Sequence, residues 1–173
     1  MAVTQFLLAL ATAITFRDSG GSYALTLSAL AATPAARQSV KADLAVSGAL
    51  FADAYDVFAE IEFSSAPTAG GVIEFYWAES ISATAGTSNA ALATGTDAAF
   101  PAAGTLADKL LQLIPIGVLV VTNEAVLQTG RVGVLCPSLR YGSLIVVNRT
   151  SQAIKTATTH VVTMTPVKDT TDV

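Results

Sequence analysis

The acidic residues of one segment come closest, by type and spacing, to the catalytic set of an enzyme. They are Asp56, Glu60, Glu62, Glu74 and Glu79. A glycoside hydrolase needs two carboxyl groups that face one cleft about 5–10 Å apart, and neighbouring strands could supply that spacing. The same residues alternate with apolar ones, however, and alternation usually directs charged side chains into solvent. We therefore interpret them as a solvated outer face.

The other reactive residues occur singly. His160 is the only histidine, so neither a multi-histidine metal site nor a histidine pair for acid–base catalysis can form. Its place in an alternating segment predicts a structural histidine. Cys136 is the only cysteine, which excludes an intrachain disulfide, and its neighbours Leu135 and Pro137 predict a buried thiol. Since no nucleophile-elbow, zinc-protease, Walker or dinucleotide-binding motif is present, we predict a protein that is not an enzyme and holds no metal or cofactor.

Charge is scarce along this chain and is not clustered. The 173 residues include 9 basic and 13 acidic side chains, and 52% of all residues are hydrophobic. Charged residues make up 13% of the chain, against about 25% in an average soluble domain. Nucleic-acid binding needs a concentrated basic surface, which the sequence lacks. A surface so poor in charge usually contacts a partner, so we expect a homo-oligomer, with a trimer favoured.

The sequence also predicts no contact with a membrane. No stretch of about 18 apolar residues is present to form a spanning helix. The apolar run from Phe6 to Ile14 is similar to the core of a signal peptide, but no positive charge precedes it. We therefore expect this run to be part of the folded protein.

Apolar and polar residues alternate along much of the chain, which is the pattern of half-buried strands. We predict such strands over residues 22–30, 39–44, 55–63, 72–78, 130–135 and 158–165. Two β-branched runs, 116–121 and 144–147, predict strands buried on both faces. Strands 55–63 and 72–78 are predicted to pair as a hairpin. Their large apolar residues form the predicted core: Ile61, Phe63, Phe75 and Trp77.

Two segments depart from this alternation. Residues 80–105 have almost no charge and no period, which predicts a long neutral loop that either contacts a partner or extends into solvent. Residues 106–113 space their leucines as one or two helical turns that end before Pro115. Short strands, turn-rich links and at most one short helix predict an all-β antiparallel sandwich, for which jelly-roll-like topology is the most economical. It would form one domain over residues 19–173.

The first eighteen residues are predicted to form an N-terminal strand or arm. An extended arm can add a strand to a neighbour's sheet, so we assign its apolar residues to an interface between subunits. Arg17 and Arg37 join them, because isolated arginines on a charge-poor surface suit interface salt bridges. The apolar residues follow a period of two, although some also fit a helix, and they are Phe6, Leu8, Leu10, Ile14 and Phe16.

Several stretches of the sequence resemble one family of structural proteins. They are YALTLS (23–28) followed by ARQS (36–39), FYWAES (75–80), ATAGT (83–87) and YGSLIVVN (141–148). These are similar to segments of small virion proteins of tailed bacteriophages, and the resemblance covers most of residues 23–148. It implies a jelly-roll-like capsid decoration (cement) protein that sits as oligomers on the outer shell. It carries over no catalytic residue.

The leading hypothesis is therefore a structural virion protein that decorates the capsid and bridges neighbouring subunits. Its expected partners are the major capsid protein and copies of itself. It would be made in the host cytoplasm and located on the outer capsid surface. The alternative is a tail-associated or receptor-binding module, in which Trp77 and Tyr76 beside Glu79 hold a glycan. A minor hydrolase is the third hypothesis, and burial of Trp77 would discriminate between the first two.

Overall fold

Eleven strands and one short α-helix make up the described part of the chain, residues 12–45, 51–156 and 160–167 of a computed structural model. The helix α1 is Leu106–Leu110, and a single turn of 3-10 helix spans Ala90–Leu92. The strands are β1 (Ile14–Arg17), β2 (Tyr23–Ala24), β3 (Ala35–Gln38), β4 (Ala42–Asp43), β5 (Tyr55–Ile61), β6 (Val72–Ser80), β7 (Ala98–Ala99), β8 (Ile114–Val120), β9 (Gln128–Leu135), β10 (Tyr141–Asn148) and β11 (Val161–Pro166).

All these strands belong to one curled sheet within the described residues. Its order is β2-β1-β11-β5-β9-β8-β6-β10-β3-β7, and β4 also pairs with β10. Every neighbouring pair is antiparallel except β1 with β2. The main core draws apolar residues from both halves of this order, so the two halves enclose it between them. The predicted all-β, sandwich-like class with a single short helix is confirmed.

One pair of glycines joins the two halves of the sheet. In the described chain, β8 pairs with β9 only through Gly117 of β8 and Gly133 of β9. A β-carbon on Gly117 would lie 2.2 Å from the carbonyl oxygen of Val132, and one on Gly133 would lie 2.2 Å from that of Ile116. Only glycine permits so close a backbone approach. Elsewhere β8 pairs with β6, and β9 pairs with β5.

The predicted hairpin of residues 55–63 with 72–78 is wrong. β5 pairs with β11 and β9, whereas β6 pairs with β8 and β10. The link between them crosses from one half of the sheet to the other, so their apolar faces meet across the core. Alternation identifies the face that a strand buries, but it carries no information on which strand lies beside it.

The structure places the four predicted core residues in the main core. Trp77, Phe75 and Ile61 are fully buried, and Phe63 is nearly so. The Trp77 ring packs on Gly142, where an added β-carbon would lie 2.3 Å from the indole. Its edge meets the ring of Phe16 at 6.4 Å between centroids.

The strand β10 is buried on both faces, as its β-branched run predicted. Its inner face contributes Leu144 and Val146 to the main core, while Ile145 and Val147 belong to a second cluster on its outer face. The residues that cover this outer face come largely from residues 81–113, which we call the covering segment. The predicted burial of residues 116–121 on both faces is wrong, because the outer side of β8 carries exposed valines.

The covering segment replaces the long neutral loop predicted over residues 80–105. It contains the 3-10 turn, β7 and then α1, the last in the position predicted for helical turns. Thr105 caps α1, since its Oγ1 accepts a hydrogen bond from the Asp108 backbone N–H. The segment therefore belongs to the fold as a second layer over β10.

The predicted strand over residues 22–30 is reduced to the two residues of β2. Leu25 and Leu27 are buried as their alternation indicates. The backbone N–H groups that follow β2 donate instead to carboxylates: that of Thr26 to Asp97 and that of Leu27 to Asp18. Carboxylate side chains therefore accept the backbone hydrogen bonds of Thr26 and Leu27, for which we predicted a neighbouring strand. The strand predicted over 39–44 is similarly confined to β4.

Candidate interaction surface

Two of the predicted interface residues lie in the protein's own core. Ile14 and Phe16 are buried, and β1 pairs with β11 along its whole length. The chain itself encloses their side chains, and the sandwich begins no later than β1, inside the predicted arm of residues 1–18. A period of two is the same for a strand of the chain's own sheet and for a strand added to a neighbour's sheet. Phe6, Leu8 and Leu10 lie outside the described residues, and their interface role stays a prediction.

The two arginines assigned to an interface have contacts within the chain. Arg37 Nε donates to Asp97 Oδ1 at 2.7 Å, which ties β3 to the covering segment. Arg17 is half-buried, and its side chain packs on Gly21, where a β-carbon would lie 2.5 Å from the Arg17 Cγ. Arg37 therefore has an ion-pair partner within the chain, and the interface role predicted for both arginines stays a prediction.

Most of the clustered carboxylates bind groups of neighbouring strands or loops. β5 and β6 lie in opposite halves of the sheet, so their acidic residues occupy different outer faces and do not line one cleft. The contacts are Asp56 with Arg131 (2.6 Å), Glu62 with Lys155 (2.5 Å), Glu74 with Arg149 (3.0 Å), and Glu79 with the Ser138 backbone N–H (2.6 Å). The interpretation as an outer face agrees with this placement.

His160 and Cys136 have different surroundings. His160 is buried, and its Nδ1 accepts from the Glu62 backbone N–H at 3.3 Å. Its Nε2 lies 2.8 Å from the Lys155 carbonyl oxygen, so Nε2 carries the proton in this hydrogen-bond arrangement. Cys136 is exposed, so the prediction of a buried thiol is wrong. It follows buried Leu135 at the end of β9, and successive residues of an extended chain point to opposite sides.

Lys41 organises the start of the covering segment, a role that its sequence context did not indicate. The residue is only 8% exposed. Its Nζ lies within hydrogen-bond distance of Ser80 Oγ (2.9 Å) and of the backbone carbonyl oxygens of Ser82 (2.9 Å), Thr84 (2.6 Å) and Thr87 (3.0 Å), four acceptors that share its three N–H groups. Burial lowers the pKa of Lys41. Because three of the four acceptors are backbone carbonyls, no residue type in the sequence could reveal this contact.

Asp97 fastens the covering segment further along. Its carboxylate accepts from the Thr26 backbone N–H (3.1 Å), from Thr26 Oγ1 (2.5 Å) and from Arg37. Burial acts to raise the pKa of Asp97, but the hydrogen bonds from Arg37 and Thr26 outweigh it and hold the pKa below its usual value. Between these two anchors, Asn89 Nδ2 donates to the carbonyl oxygens of Ala85 (2.6 Å) and Ala93 (2.5 Å).

The covering segment presents large apolar side chains to solvent. Ile81 is 72% exposed, Leu92 63% and Leu111 87%. Ala91 and Leu92 have left-handed backbone angles, φ +56° and +59°. That conformation costs a non-glycine residue roughly 1–2 kcal/mol. A shallow cavity of about 320 Å³ lies beside Leu92, between Gly86 and Thr94. The segment thus holds Leu92 outward in a strained conformation, a feature typical of contact sites.

A second apolar region lies where β8 and β9 separate. We define the seam as residues 118–120 of β8, residues 128–132 of β9 and the connecting turn 121–127. A cavity of about 200 Å³ opens there, lined mainly by uncharged residues. Gln128 closes the turn, because its Oε1 accepts from the Thr122 backbone N–H and its Nε2 donates to the Glu124 carbonyl. The exposed side chains of the seam include Val120, Val126 and Leu127.

The described ranges contain no group of three or more His, Cys, Asp or Glu residues placed to hold a metal ion. No helix among the described residues is long and apolar enough to cross a membrane. Comparison of the chain with protein-family models, with curated proteins and with solved structures found no match.

Proposed function

We propose that the protein is a non-enzymatic structural subunit of a virion, which decorates the capsid and bridges neighbouring capsid subunits. The observation that carries this proposal is the exposed apolar surface of the covering segment and the seam. Large exposed hydrophobic regions mark interaction sites on soluble proteins. This protein presents them on elements that the fold holds in place.

The internal use of charge supports an assembly role. Arg37, Arg131, Arg140, Arg149 and Lys155, five of the nine basic residues, form ion pairs within the chain. Lys41 is buried against the covering segment. Most of the basic residues thus contact groups of the same chain, which leaves few unpaired basic groups on a surface that is already poor in charge.

Preorganisation supports the same role. Lys41 and Asp97 bind the covering segment at both ends of its first half, so Leu92 is presented without a further ordering cost on binding. Full burial of a leucine is worth roughly 1.5–3 kcal/mol, and association costs about 4–15 kcal/mol. A single contact of this kind is weak. Repetition over a symmetric shell supplies the remaining affinity through avidity.

The glycan-binding alternative requires an exposed Trp77 ring, and this ring is buried. Trp77 is fully buried beneath Gly142 and Phe16, so its ring has no face to offer a sugar. Tyr76 is half-buried and donates its hydroxyl to Glu74 Oε2 at 3.2 Å. No observation now favours this alternative over the structural role.

A binding assay with capsids tests the proposal. Purified protein is added to capsids assembled without it, and the bound copies and the temperature of DNA release are measured. We expect binding in a fixed ratio to the major capsid protein and release at a higher temperature. Leu92→Asp and Leu111→Asp should weaken binding at least tenfold, whereas Ser65→Asp, on an exposed turn outside both apolar regions, should not. Failure of the wild-type protein to bind, or equal binding by all variants, would contradict the proposal.

A further inference from the structure

We infer that the cavity of the seam binds Lys109 of a second copy of this chain, with Glu124 as the ion-pair partner of that lysine. The inference deepens the proposed function and rests on it in one respect, the assembly of copies with one another. It names the two surfaces that meet, which are the end of α1 on one copy and the turn after β8 on the next.

Glu124 is a free carboxylate beside an apolar cavity. Its side chain is exposed, lines the cavity of about 200 Å³, and forms no ion pair or hydrogen bond with another described residue. The cavity wall includes the apolar side chains of Leu119 and Leu127. Arg131, the other charged residue of the seam, lies outside this lining and already pairs with Asp56 at 2.6 Å. An apolar stem that ends in a positive charge, as in lysine, therefore complements the cavity.

Lys109 carries a positive charge that no described residue of its own chain pairs with. Five other basic residues form ion pairs within the chain, and Lys41 is buried against the covering segment. Arg17 packs on Gly21, and its Nε is buried. Lys109 is the basic residue that remains in the described ranges, and it is partly exposed on α1. A second copy of the chain therefore offers the side chain that the cavity requires.

Lys109 and Glu124 lie at opposite ends of β8. The helix α1 precedes this strand, and Glu124 belongs to the turn that follows it. The seven residues of β8 span roughly 20 Å. Packing of Leu106 and Leu110 holds α1 on the cluster over β10, which is the second strand from β8 in the sheet. Within one copy the two charges are therefore kept apart, and they meet only between copies.

Apolar contacts around the ion pair supply most of the affinity. An exposed ion pair contributes little by itself, but it fixes how two surfaces align. The C-terminal end of α1 carries Leu111, which is 87% exposed, and the seam exposes Val120 (60%) and Val126 (52%). Because the two surfaces differ, the contact is heterologous, and its repetition around an axis closes a ring. The expected trimer is one such ring, and it leaves Ile81 and Leu92 free to contact the capsid.

Charge reversal in the full-length protein tests the inference. Sedimentation equilibrium measures the dissociation constant of the oligomer for Lys109→Glu, for Glu124→Lys and for the double variant. Each single variant brings two like charges together, so we expect the dissociation constant to rise at least about tenfold. The double variant restores the pair with its charges exchanged and should return to within about threefold of wild type. An equimolar mixture of the two single variants should associate more strongly than either one alone.

Glu60→Lys is the matched control for the change of charge. Glu60 also lacks a side-chain contact among the described residues, but it lies on β5, outside the seam. Glu60→Lys alone should leave the dissociation constant near the wild-type value. Combined with Lys109→Glu, it should not restore association.

The contrary results are equally specific. A wild-type protein that stays monomeric, or a double variant as weak as the single ones, would show that Lys109 and Glu124 do not meet. Restoration by Glu60→Lys would mean that net charge governs association. A mixture no stronger than its components, beside a restored double variant, would place the pair within one copy. Capsid binding is measured separately, so the inference can fail while the proposed function stands.

Discussion

At the scale of single residues, buried polar groups hold the covering segment on the sandwich. The Lys41 ammonium group contacts one hydroxyl and three backbone carbonyl oxygens. It therefore provides hydrogen bonds to carbonyl oxygens that, within a sheet, a neighbouring strand would provide. A buried acceptor without a partner costs about 1–3 kcal/mol. Lys41 therefore holds in place the segment that carries the exposed apolar side chains, although Lys41 itself is buried.

Replacing Lys41 should release the start of the covering segment. Lys41→Met keeps the side-chain length but removes every donor, so we expect a loss of about 2–4 kcal/mol in the free energy of unfolding. Limited proteolysis should also become faster within residues 81–89. Urea unfolding and mass spectrometry of the fragments measure both effects. Lys109→Met, on α1, is the control and should change stability by no more than about 0.5 kcal/mol. Cleavage of Lys41→Met at the wild-type rate would contradict this role.

Trp77 should be a core residue whose ring matters more than its N–H group. Its Nε1 has no hydrogen-bond partner among the described residues. Trp77→Ala should therefore cost about 3–5 kcal/mol, and Trp77→Phe clearly less, since it loses volume but no hydrogen bond. Chemical denaturation of the two variants measures the difference. Iodide should barely quench the wild-type tryptophan fluorescence. Strong quenching with little loss of stability would instead place the indole at the surface.

Asp97 should make the covering segment sensitive to acid. The pKa of Asp97 lies below its usual value in the folded protein, so its contribution is present above the unfolded-state pKa of about 3.9 and is lost as pH falls through the folded value. Asp97→Asn should lower stability at pH 7 and flatten the decline below about pH 4. Unfolding measured from pH 7 to pH 2 tests this. Part of the decline in stability should remain in Asp97→Asn, because Arg140 also lowers the pKa of Asp43. A decline as steep as that of the wild-type protein would contradict the role of Asp97.

At the scale of elements, the sequence predicts faces better than neighbours. Alternation located β5, β6 and β11, and the β-branched run of β10 indicated burial on both sides. The pairing of β5 with β6 was wrong, because facing strands and adjacent strands share one pattern. The covering segment was missed since backbone carbonyls and a few separated side chains hold it. The exposure of Val118 was missed since only tertiary packing decides that β8 has no second layer.

The boundary between arm and sandwich should lie just before β1. Deletion of residues 2–11 should leave the melting temperature within a few degrees of wild type, because the described ladder begins at Ile14. Deletion of residues 2–17 removes the buried Ile14 and Phe16 and should unfold the protein. Circular dichroism during heating measures both. Unfolding of the shorter deletion, or stability of the longer one, would contradict the assignment of β1 to the core.

At the scale of the whole molecule, the covering segment and the seam present separate apolar surfaces. Leu92 and Leu111 belong to the covering segment, which lies over β10, while Val120 lies where β8 and β9 separate. Two such surfaces allow a subunit to bind its copies and the capsid at the same time. In the proposed role both surfaces would be used at once, and such multivalent contact would stabilise the shell.

The full-length protein should form an oligomer in solution, with a trimer favoured. Its exposed apolar surface and few free charges disfavour an isolated subunit. Sedimentation velocity at micromolar concentration measures the state, and Val120→Asp should shift it toward the monomer. Ser65→Asp is the matched control for added charge. A stable wild-type monomer that behaves like the Val120→Asp variant would contradict this expectation.

The copy number of the protein in purified particles of the virus to which the proposal assigns it tests the proposed virion role most directly. Quantitative mass spectrometry measures its molar ratio to the major capsid protein, and brief protease treatment of intact particles determines whether it lies outside. We expect hundreds of copies per particle, in a fixed ratio to the capsid protein and accessible on the outer surface. A handful of copies per particle would assign the protein to the tail, and its absence from particles would contradict a structural role in the virion.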